Sequence, residues 1–316
     1  MSALLQASRS WCAALVLVVT ALAQEPESTP DPLRAMQREL DAARAELRAL
    51  RAALEAPAIV HGALGVTFTN EYLFRGIPQE DRGAIAQPWV ELGFRLHPGQ
   101  PGDLMRNVEL TTGIWNSLHD GPTGSAGGGT AWYEADVYAG LSVQLGDRWT
   151  VGALYTVYHS PNGRFGTVEE VGGSLAFDDS ELWSPIALQP SLLVAFEVDG
   201  QADAGRHTGI YAEIAVEPRV ALGGVDGFEF ELLLPLKVGL SVRDYYERPA
   251  GGGDKAFGYF DAGLVLAATL SGLPDPGRPW TVEVGMHYLV LGDTNETRNS
   301  GDDHELLATL TLGTTF

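Results

Sequence analysis

Apolar and polar side chains alternate along most of the chain, from about residue 63 to the last residue. A period of two indicates β-strands that have one apolar and one polar face. The pattern is clearest in Tyr133–Leu145, Phe228–Val242 and Trp280–Val290. Weaker alternation occurs at residues 63–77, 87–97, 106–116, 149–158, 165–178, 188–198, 208–221, 257–270 and 305–316. The chain is therefore predicted to be all-β, with about twelve antiparallel strands.

Strand lengths and connections favour a membrane barrel over a soluble sandwich. The segments exceed the roughly 5–6 residues of soluble strands and suit the roughly 9–11 residues that cross a bilayer. If both ends of the barrel face the periplasm, the long connections Ser117–Thr130, Asp244–Ala256 and Gly292–Asp303 lie outside. The inner turns, such as Gly146-Asp147-Arg148, are predicted to be no longer than about ten residues. We therefore expect a transmembrane β-barrel over residues 60–316, in the bacterial outer membrane.

The last segment alternates up to the C-terminal residue, Phe316. A terminal phenylalanine on such a strand is a recognition signal for the bacterial barrel-assembly machinery, so that machinery is a predicted partner. Outer-membrane lipid and lipopolysaccharide are expected around the barrel. Aromatic residues near strand ends are expected at the membrane interfaces. They are Tyr72, Phe74, Trp89, Trp149, Tyr155, Trp280 and Tyr288.

Residues 1–23 have the features of a cleaved secretory signal peptide. Arg9 supplies a positive charge, Ala13–Val19 a short apolar core, and Ala21-Leu22-Ala23 a small-x-small cleavage site. The apolar run is about half the roughly 20 residues of a spanning helix. Cys12 is the only cysteine and lies in this segment, which excludes disulfides and zinc–thiolate sites from the mature chain.

Two further segments precede the barrel. Residues 24–32 form a Pro/Glu/Ser/Thr-rich linker that is expected to be disordered. Residues 33–56 are rich in Ala, Leu, Arg and Glu, and their apolar positions alternate spacings of four and three, which is typical of a coiled coil. We expect a periplasmic coil that self-associates, with a trimer favoured. The alternative is an amphipathic helix on the barrel or on the membrane surface.

The chain is strongly acidic, with 41 Asp and Glu against 20 Lys and Arg and a formal net charge of −21. Nucleic-acid binding needs a basic footprint, so nucleic acid is excluded as a partner. No later segment has the length and hydropathy of a spanning helix. A membrane location therefore requires strands.

Charged side chains on a spanning strand are expected to face the lumen, because lipid exposure at mid-depth costs roughly 2–4 kcal/mol. On the first predicted strand Glu71 and Arg75 face inward, while Tyr72 and Phe74 face lipid. Such charges form either a rigid ion-pair network or the constriction of a pore. Acids outnumber bases, which predicts weak cation preference in an open pore. The predicted pore-lining residues are Glu71, Arg75, Glu91, Arg95, Glu109, Glu134, Asp136, Glu213, Glu229, Glu231, Lys237, Glu283 and His287.

The segment Asn70–Gln79 contains Tyr72-Leu73-Phe74-Arg75-Gly76-Ile77-Pro78-Gln79. It resembles the Tyr-x-Phe-Arg-Gly-x-Ser-Gln signature of the TorF-type porin family of proteobacterial outer-membrane proteins. Pro78 stands where that family usually has serine. Gly113-Ile114-Trp115 and Asp136–Gly140 resemble later landmarks of the family, and the likeness thins after about residue 180. The resemblance implies a barrel with a pore.

Passive diffusion of small hydrophilic solutes through a porin-like channel is the predicted function, without a cofactor. Because small barrels can be filled by side chains, a plugged structural or adhesive barrel tethered by its coil is the alternative.

An outer-membrane enzyme is less favoured. His159 and Ser160 are adjacent on a strand and face opposite ways, and His287 is the only other candidate base worth naming. The acidic stretch Asp293–Glu305 departs from the EF-hand pattern, so a solvated loop is expected there rather than a metal site.

Overall fold

The computed structural model describes residue 44 and residues 59–100, 102–183, 186–248, 253–270 and 279–316. The predicted signal peptide, linker and coil (1–23, 24–32 and 33–56) lie outside these residues, except for Arg44, which is helical. The chain divides into two units, Met1–Pro57 and Ala58–Phe316, and the second is described below. Among the described helices, none combines the length and the apolar character that spanning a membrane requires.

The described residues of the second unit form sixteen strand segments and one short α-helix. The helix, α1, spans Asp293–Arg298. The segments are β1 (Val60–Thr69), β2 (Tyr72–Phe74), β3 (Ile77–Glu80), β4 (Ile85–His97), β5 (Met105–His119), β6 (Trp132–Leu145), β7 (Trp149–His159), β8 (Val168–Phe177), β9 (Ser191–Asp199), β10 (Ile210–Val216), β11 (Arg219–Val225), β12 (Phe228–Leu233), β13 (Leu236–Arg243), β14 (Phe257–Leu270), β15 (Trp280–Leu291) and β16 (His304–Thr315).

Fourteen of these segments pair into one antiparallel sheet that closes on itself. The first segment, β1, pairs with both β4 and the last segment, β16. The Thr67 and Thr311 hydroxyls are 2.9 Å apart across the closing seam. Gly62 and Phe316 exchange two backbone hydrogen bonds, of 2.8 and 2.9 Å. The β1–β16 end with both termini is called the terminal end, and the opposite end is called the loop end.

Two neighbouring strands of the wall are each broken by a proline. Pro218 separates β10 from β11, and Pro235 separates β12 from β13. Proline has no backbone N–H for the ladder, so each strand is interrupted at that point. The two halves still cross the wall as one strand, because β10 pairs with β13 and β11 with β12. Counted this way, the wall has twelve antiparallel strands, and the predicted fold class is confirmed.

Outward-facing side chains are mostly apolar and solvent-exposed, among them Ile114, Val137 and Leu264. An apolar exterior around a polar interior is typical of transmembrane barrels. Of the predicted interfacial aromatics, those on this exposed exterior are Trp149, Tyr155, Trp280 and Tyr288. Trp89 instead faces an interior cavity.

The first predicted strand, residues 63–77, is wrong beyond Thr69. The chain leaves the wall there, and β2 and β3 pair only with each other. Tyr72 and Phe74 therefore do not face lipid; they contact residues of β5, β6 and β7 inside the barrel. Residues 72–80 are called the lumenal hairpin. The connection at residues 178–190 is also longer than the short turns predicted at the terminal end.

Candidate functional site: the lumenal hairpin and its cavities

The lumenal hairpin turns through two residues, Arg75 and Gly76, between the paired Phe74 and Ile77. Both turn residues have positive φ, 51° and 77°, as a two-residue type I′ turn requires. Glycine adopts this conformation freely, whereas an arginine does so rarely. The arginine at the tip is therefore held in place by its side-chain contacts.

Those contacts enclose the guanidinium group of Arg75. Its two terminal nitrogens donate to the two carboxylate oxygens of Glu170 on β8, at 2.7 and 2.9 Å. One of them also donates to the Tyr245 hydroxyl at 2.6 Å. The Tyr211 ring centroid lies 4.2 Å from the guanidinium carbon, a cation–π contact. The side chains of Arg75 and Glu170 are 12% and 3% exposed, so this is a buried ion pair.

The other end of β2 is fixed to β5 and β6. The Tyr72 hydroxyl donates to Glu134 at 2.9 Å, and its ring centroid lies 5.5 Å from that of Trp115. Tyr133 donates its hydroxyl hydrogen to Gln79 of β3. Tyr133 has the same odd-numbered position in the alternation as the exposed Val137 and Leu141, but the β5–β6 register shifts beside it. This bulge redirects the ring toward the hairpin.

A chain of hydrogen bonds joins β3 to β5 at the loop end. Glu80 accepts hydrogen bonds from the backbone and the hydroxyl of Thr123, both at 2.7 Å. The Thr123 hydroxyl lies 2.6 Å from His119 Nδ1, and His119 Nε2 lies 2.7 Å from the Ser117 hydroxyl. Ser117 and His119 are fully buried, so a substrate has no access to this serine–histidine pair. The network anchors the hairpin.

On its far side the hairpin packs into an apolar cluster. Ile77 lies there against buried tyrosines and leucines from β10, the β13–β14 connection, β14 and β15. The Tyr246 hydroxyl donates to the Arg75 carbonyl at 2.9 Å. Asn295 of α1 is buried and donates to the Gly258 carbonyl at 3.0 Å. The acidic 293–305 stretch is therefore packed structure at its start, not the solvated loop that was expected.

Two cavities lie inside the barrel, and Tyr158 lines both. The loop-side cavity, of about 390 Å³, is lined by Phe74, Glu134 and the connections after β7 and β9. The terminal-side cavity, of about 620 Å³, is lined by residues of β1 and of β4 to β7. Glu134 lines the first cavity and Asp136 the second, two residues further along β6. The residues of the terminal-side cavity are Ala63, Thr67, Trp89, Glu91, Trp115, Asp136, Tyr138, Leu154, Thr156 and Tyr158.

The predicted pore-lining residues divide into three groups. Arg75, Glu91, Glu134 and Asp136 lie at the hairpin or its cavities. The residues of a second group contact other side chains away from the cavities. Glu213 accepts hydrogen bonds from the Tyr211 and Tyr259 hydroxyls. Lys237 and His287 lie 3.7 and 3.1 Å from Asp261, and Glu109 lies 3.0 Å from His61. The third group comprises Glu71 beside the hairpin, Arg95 (3.2 Å from Asn107), Glu231 (3.8 Å from Arg219), Glu229 on β12 and Glu283 on β15.

Glu71 lies at the start of the hairpin, between β1 and β2. Burial, together with a hydrogen bond and charge repulsion from Glu305, raises the pKa of Glu71 to about 7. The carboxyl group of Glu71 is therefore partly protonated near neutral pH. This position is beside the hairpin's attachment to the wall and not in the middle of the lumen.

Candidates for other chemistry have structural roles. His159 bonds to Thr167, whereas the Ser160 hydroxyl donates to the Tyr133 carbonyl, so this pair does not meet. Within the described ranges, one group has the spacing of metal ligands: His207, Asp244 and Glu247, with ligand atoms within 4.8 Å of one another. Glu247 already accepts hydrogen bonds from the Arg206 and His207 backbone and lies 2.8 Å from His207 Nδ1, which ties the loops together.

Several residues that build this site were missed by the single-strand patterns. They include Glu170, Tyr158 and Tyr245, which surround Arg75 from three different parts of the chain. The turn at Arg75-Gly76 had a detectable signal, since Gly76 and Pro78 are unusual in the middle of a spanning strand. The residues that surround Arg75 gave no such signal, because the sequence pattern of an inward-facing tyrosine or glutamate is the same whether its side chain contacts water or a hairpin.

The protein is thus a closed twelve-stranded barrel with a hairpin folded into its lumen. No family model and no curated protein matches this chain. Among solved structures it is similar to the NanC porin, with 12% identity over 80% of this chain and 98% of that one, at a TM-score of 0.42. It is also similar to an outer membrane channel from Pseudomonas putida F1, with 11% identity, coverages of 83% and 97%, and a TM-score of 0.44. A third similar structure is the translocator domain of the autotransporter NalP from Neisseria meningitidis, with 12% identity over 90% of this chain and 97% of that one, at a TM-score of 0.41. Similarities at this level add nothing about function.

Proposed function

We propose that this protein is a channel of the bacterial outer membrane, that it passes small hydrophilic solutes by diffusion, and that the lumenal hairpin forms its constriction. One observation carries the proposal: two cavities inside the barrel share Tyr158, with Glu134 and Arg164 among the lining residues of the loop-side cavity and Glu91 and Asp136 among those of the terminal-side cavity. On the proposed path, a solute that enters at the loop end meets the loop-side cavity first, then passes Tyr158, Glu134 and Asp136, and then enters the terminal-side cavity. The apolar exterior supports the membrane location.

The charges at the constriction favour cations more strongly than a count of acids and bases implies. Arg75, the basic residue at the tip, is neutralised by Glu170. Glu91 and Glu134 accept hydrogen bonds from tyrosine hydroxyls, and Glu134 and Asp136 are in hydrogen-bonding contact with each other. Among the described residues, no lysine or arginine forms an ion pair with these three carboxyl groups. A narrow passage lined by uncompensated carboxylates excludes anions.

One observation favours the second candidate, a plugged barrel. The hairpin is held by a buried ion pair on one side and a tyrosine-rich cluster on the other. If the hairpin stays in this position and no water path remains beside Tyr158, the barrel is closed to solutes and its role is structural. The two functions differ in whether the folded protein conducts.

Conductance of the refolded protein in a planar bilayer tests the proposal. We expect stable steps, a reversal potential in a salt gradient that shows strong cation preference, and larger steps when residues 72–80 are replaced by a Gly-Ser linker. Glu134→Gln should reduce cation preference, because it removes a carboxylate from the constriction. Asp302→Asn is the matched control, since it removes an exposed carboxylate from a loop. The plugged barrel would be established instead if the folded, inserted wild type carried no current while the variant with the Gly-Ser linker did.

The parts of the protein outside the barrel belong to the same proposal. We propose that residues 1–23 direct export, that residues 33–56 form a periplasmic coil, and that the coil favours a trimer. Phe316 is proposed to engage the barrel-assembly machinery, and lipopolysaccharide to surround the outer half of the wall. Relatedness to the TorF-type family stays a prediction. Native mass spectrometry with and without residues 33–56 tests the trimer: loss of trimers in the truncated protein is the expected result.

A further inference from the structure

The terminal-side cavity has aromatic walls on four consecutive strands. Trp89 on β4 lies directly opposite Trp115 on β5, and Tyr138 and Tyr158 continue the wall on β6 and β7. Gly113 makes room for the Tyr138 ring, because a Cβ there would collide with it. The volume of about 620 Å³ falls in the range of small-molecule sites. Leu154 is more than one third exposed although it faces this interior, so the cavity is not filled by side chains.

The charged groups of this cavity are all acidic. Glu91 and Asp136 line it, and no lysine or arginine does so among the residues the structure describes. Asp136 is 7% exposed, and its Oδ1 atom is buried without a hydrogen-bond partner in the described part of the chain. Its neighbour Glu134 adds a second carboxyl group within hydrogen-bonding contact. A buried carboxyl oxygen normally has a hydrogen-bond partner, and the described residues supply none to Asp136 Oδ1.

We propose that the terminal-side cavity is a binding site for a small organic cation with an ammonium group, which occupies it during passage. The aromatic faces bind such a cation through cation–π contacts, and Asp136 and Glu91 supply the opposite charge. Calcium or magnesium is a poorer fit, because those ions need six or more oxygen ligands and gain nothing from indole rings. A neutral sugar would stack on the rings but leave the carboxylates uncompensated. This substrate class rests on the proposed channel function, since the cavity lies on the proposed path.

Choline and its uncharged analogue 3,3-dimethylbutan-1-ol are a matched pair of probes, because they differ mainly in the charge of the head group. We expect choline to interrupt the potassium current of the wild type and the alcohol to have no effect at equal concentration. Asp136→Asn and Trp115→Leu should each weaken the choline block by about tenfold. Asp302→Asn should leave it unchanged. Circular dichroism and heat-modifiable gel migration verify folding, and Glu91→Gln replaces any variant that fails to fold.

Calorimetric titration of choline into the protein in detergent measures the same site without any current. Binding that is lost in Asp136→Asn, from a barrel that does not conduct, would support the site and reject the channel. Conductance without choline binding would support the channel and reject the site. Equal binding of the alcohol and choline, or unchanged choline affinity in all three cavity variants, would overturn the proposal.

Discussion

Replacing Arg75 with methionine is expected to release the lumenal hairpin from the barrel wall. The substitution keeps most of the side-chain volume and leaves Glu170, only 3% exposed, without its cation. Removing one partner of a buried ion pair costs roughly 3–5 kcal/mol. Since 1.4 kcal/mol is a factor of ten, the undocked population should rise by about 100-fold or more. The Tyr158 hydroxyl still donates to Glu170 at 3.0 Å, which places the expected cost at the lower end.

Chymotrypsin measures this population, because it cleaves after aromatic residues and the hairpin carries Tyr72 and Phe74 near its tip. Cleavage follows the open fraction when opening is faster than proteolysis. Arg148→Met is the control: it breaks an ion pair with Glu181, whose side chain is 80% exposed, and such pairs contribute about 0–1 kcal/mol. Wild-type cleavage rates in the Arg75 variant would refute the role of the ion pair.

A second substitution separates lost charge pairing from lost packing. In Arg75→Met/Glu170→Met both charges are gone, and an apolar pair of similar volume is often neutral relative to a buried ion pair. We expect the double variant to be cleaved more slowly than Arg75→Met alone. A double variant cleaved faster than the single one would mean that the guanidinium acts mainly through Tyr211 and Tyr245.

Two further predictions concern the hairpin's attachment and the terminal-side cavity. Because the pKa of Glu71 is raised above its ordinary value of 4.5 to about 7, its protonated form stabilises the docked hairpin. That stabilisation is complete below about pH 4.5 and is lost as the pH rises through 7. The ratio of wild-type to Glu71→Gln cleavage by chymotrypsin, in which the pH dependence of the protease itself cancels, should therefore rise over this interval; a constant ratio would contradict the assignment. Gly113→Ala should lower the stability to urea by roughly 1–3 kcal/mol, because its Cβ would displace Tyr138. Gly173→Ala, where a Cβ meets nothing within 4 Å, should be unaffected; equal losses in both would reject the steric explanation.

Alternation along single strands was enough to predict the wall. Tyr133–Leu145 corresponds to β6 within one residue, and Trp280–Val290 to β15. The prediction succeeds because every wall strand has one side toward lipid and one toward the interior, which imposes the same period everywhere. Pro218 and Pro235 each interrupt a strand without ending it, so the predicted number of about twelve strands agrees with the structure.

The hairpin was misassigned because Tyr72-Leu73-Phe74 continues the alternation of β1. A period of two shows that residues are extended but not which neighbour they pair with. The ion pair of Arg75 joins residues 95 apart in sequence, and its hydrogen bond to Tyr245 joins residues 170 apart. Contacts of that range follow only from the closed sheet, which places β8 and the β13–β14 connection around one interior.

Closure of the barrel through its first and last strands determines when it can form. The seam between Thr67 and Thr311 joins residues separated by 244 positions, so no part of the cylinder is complete until the final strand has been made. Until then the growing sheet has two unpaired edges, each able to add a strand from another chain. Contacts of such high sequence separation also form slowly, because a long loop must be ordered first. Closure therefore waits for β16, and the two backbone hydrogen bonds between Gly62 and Phe316 are part of the seam that removes both edges at once.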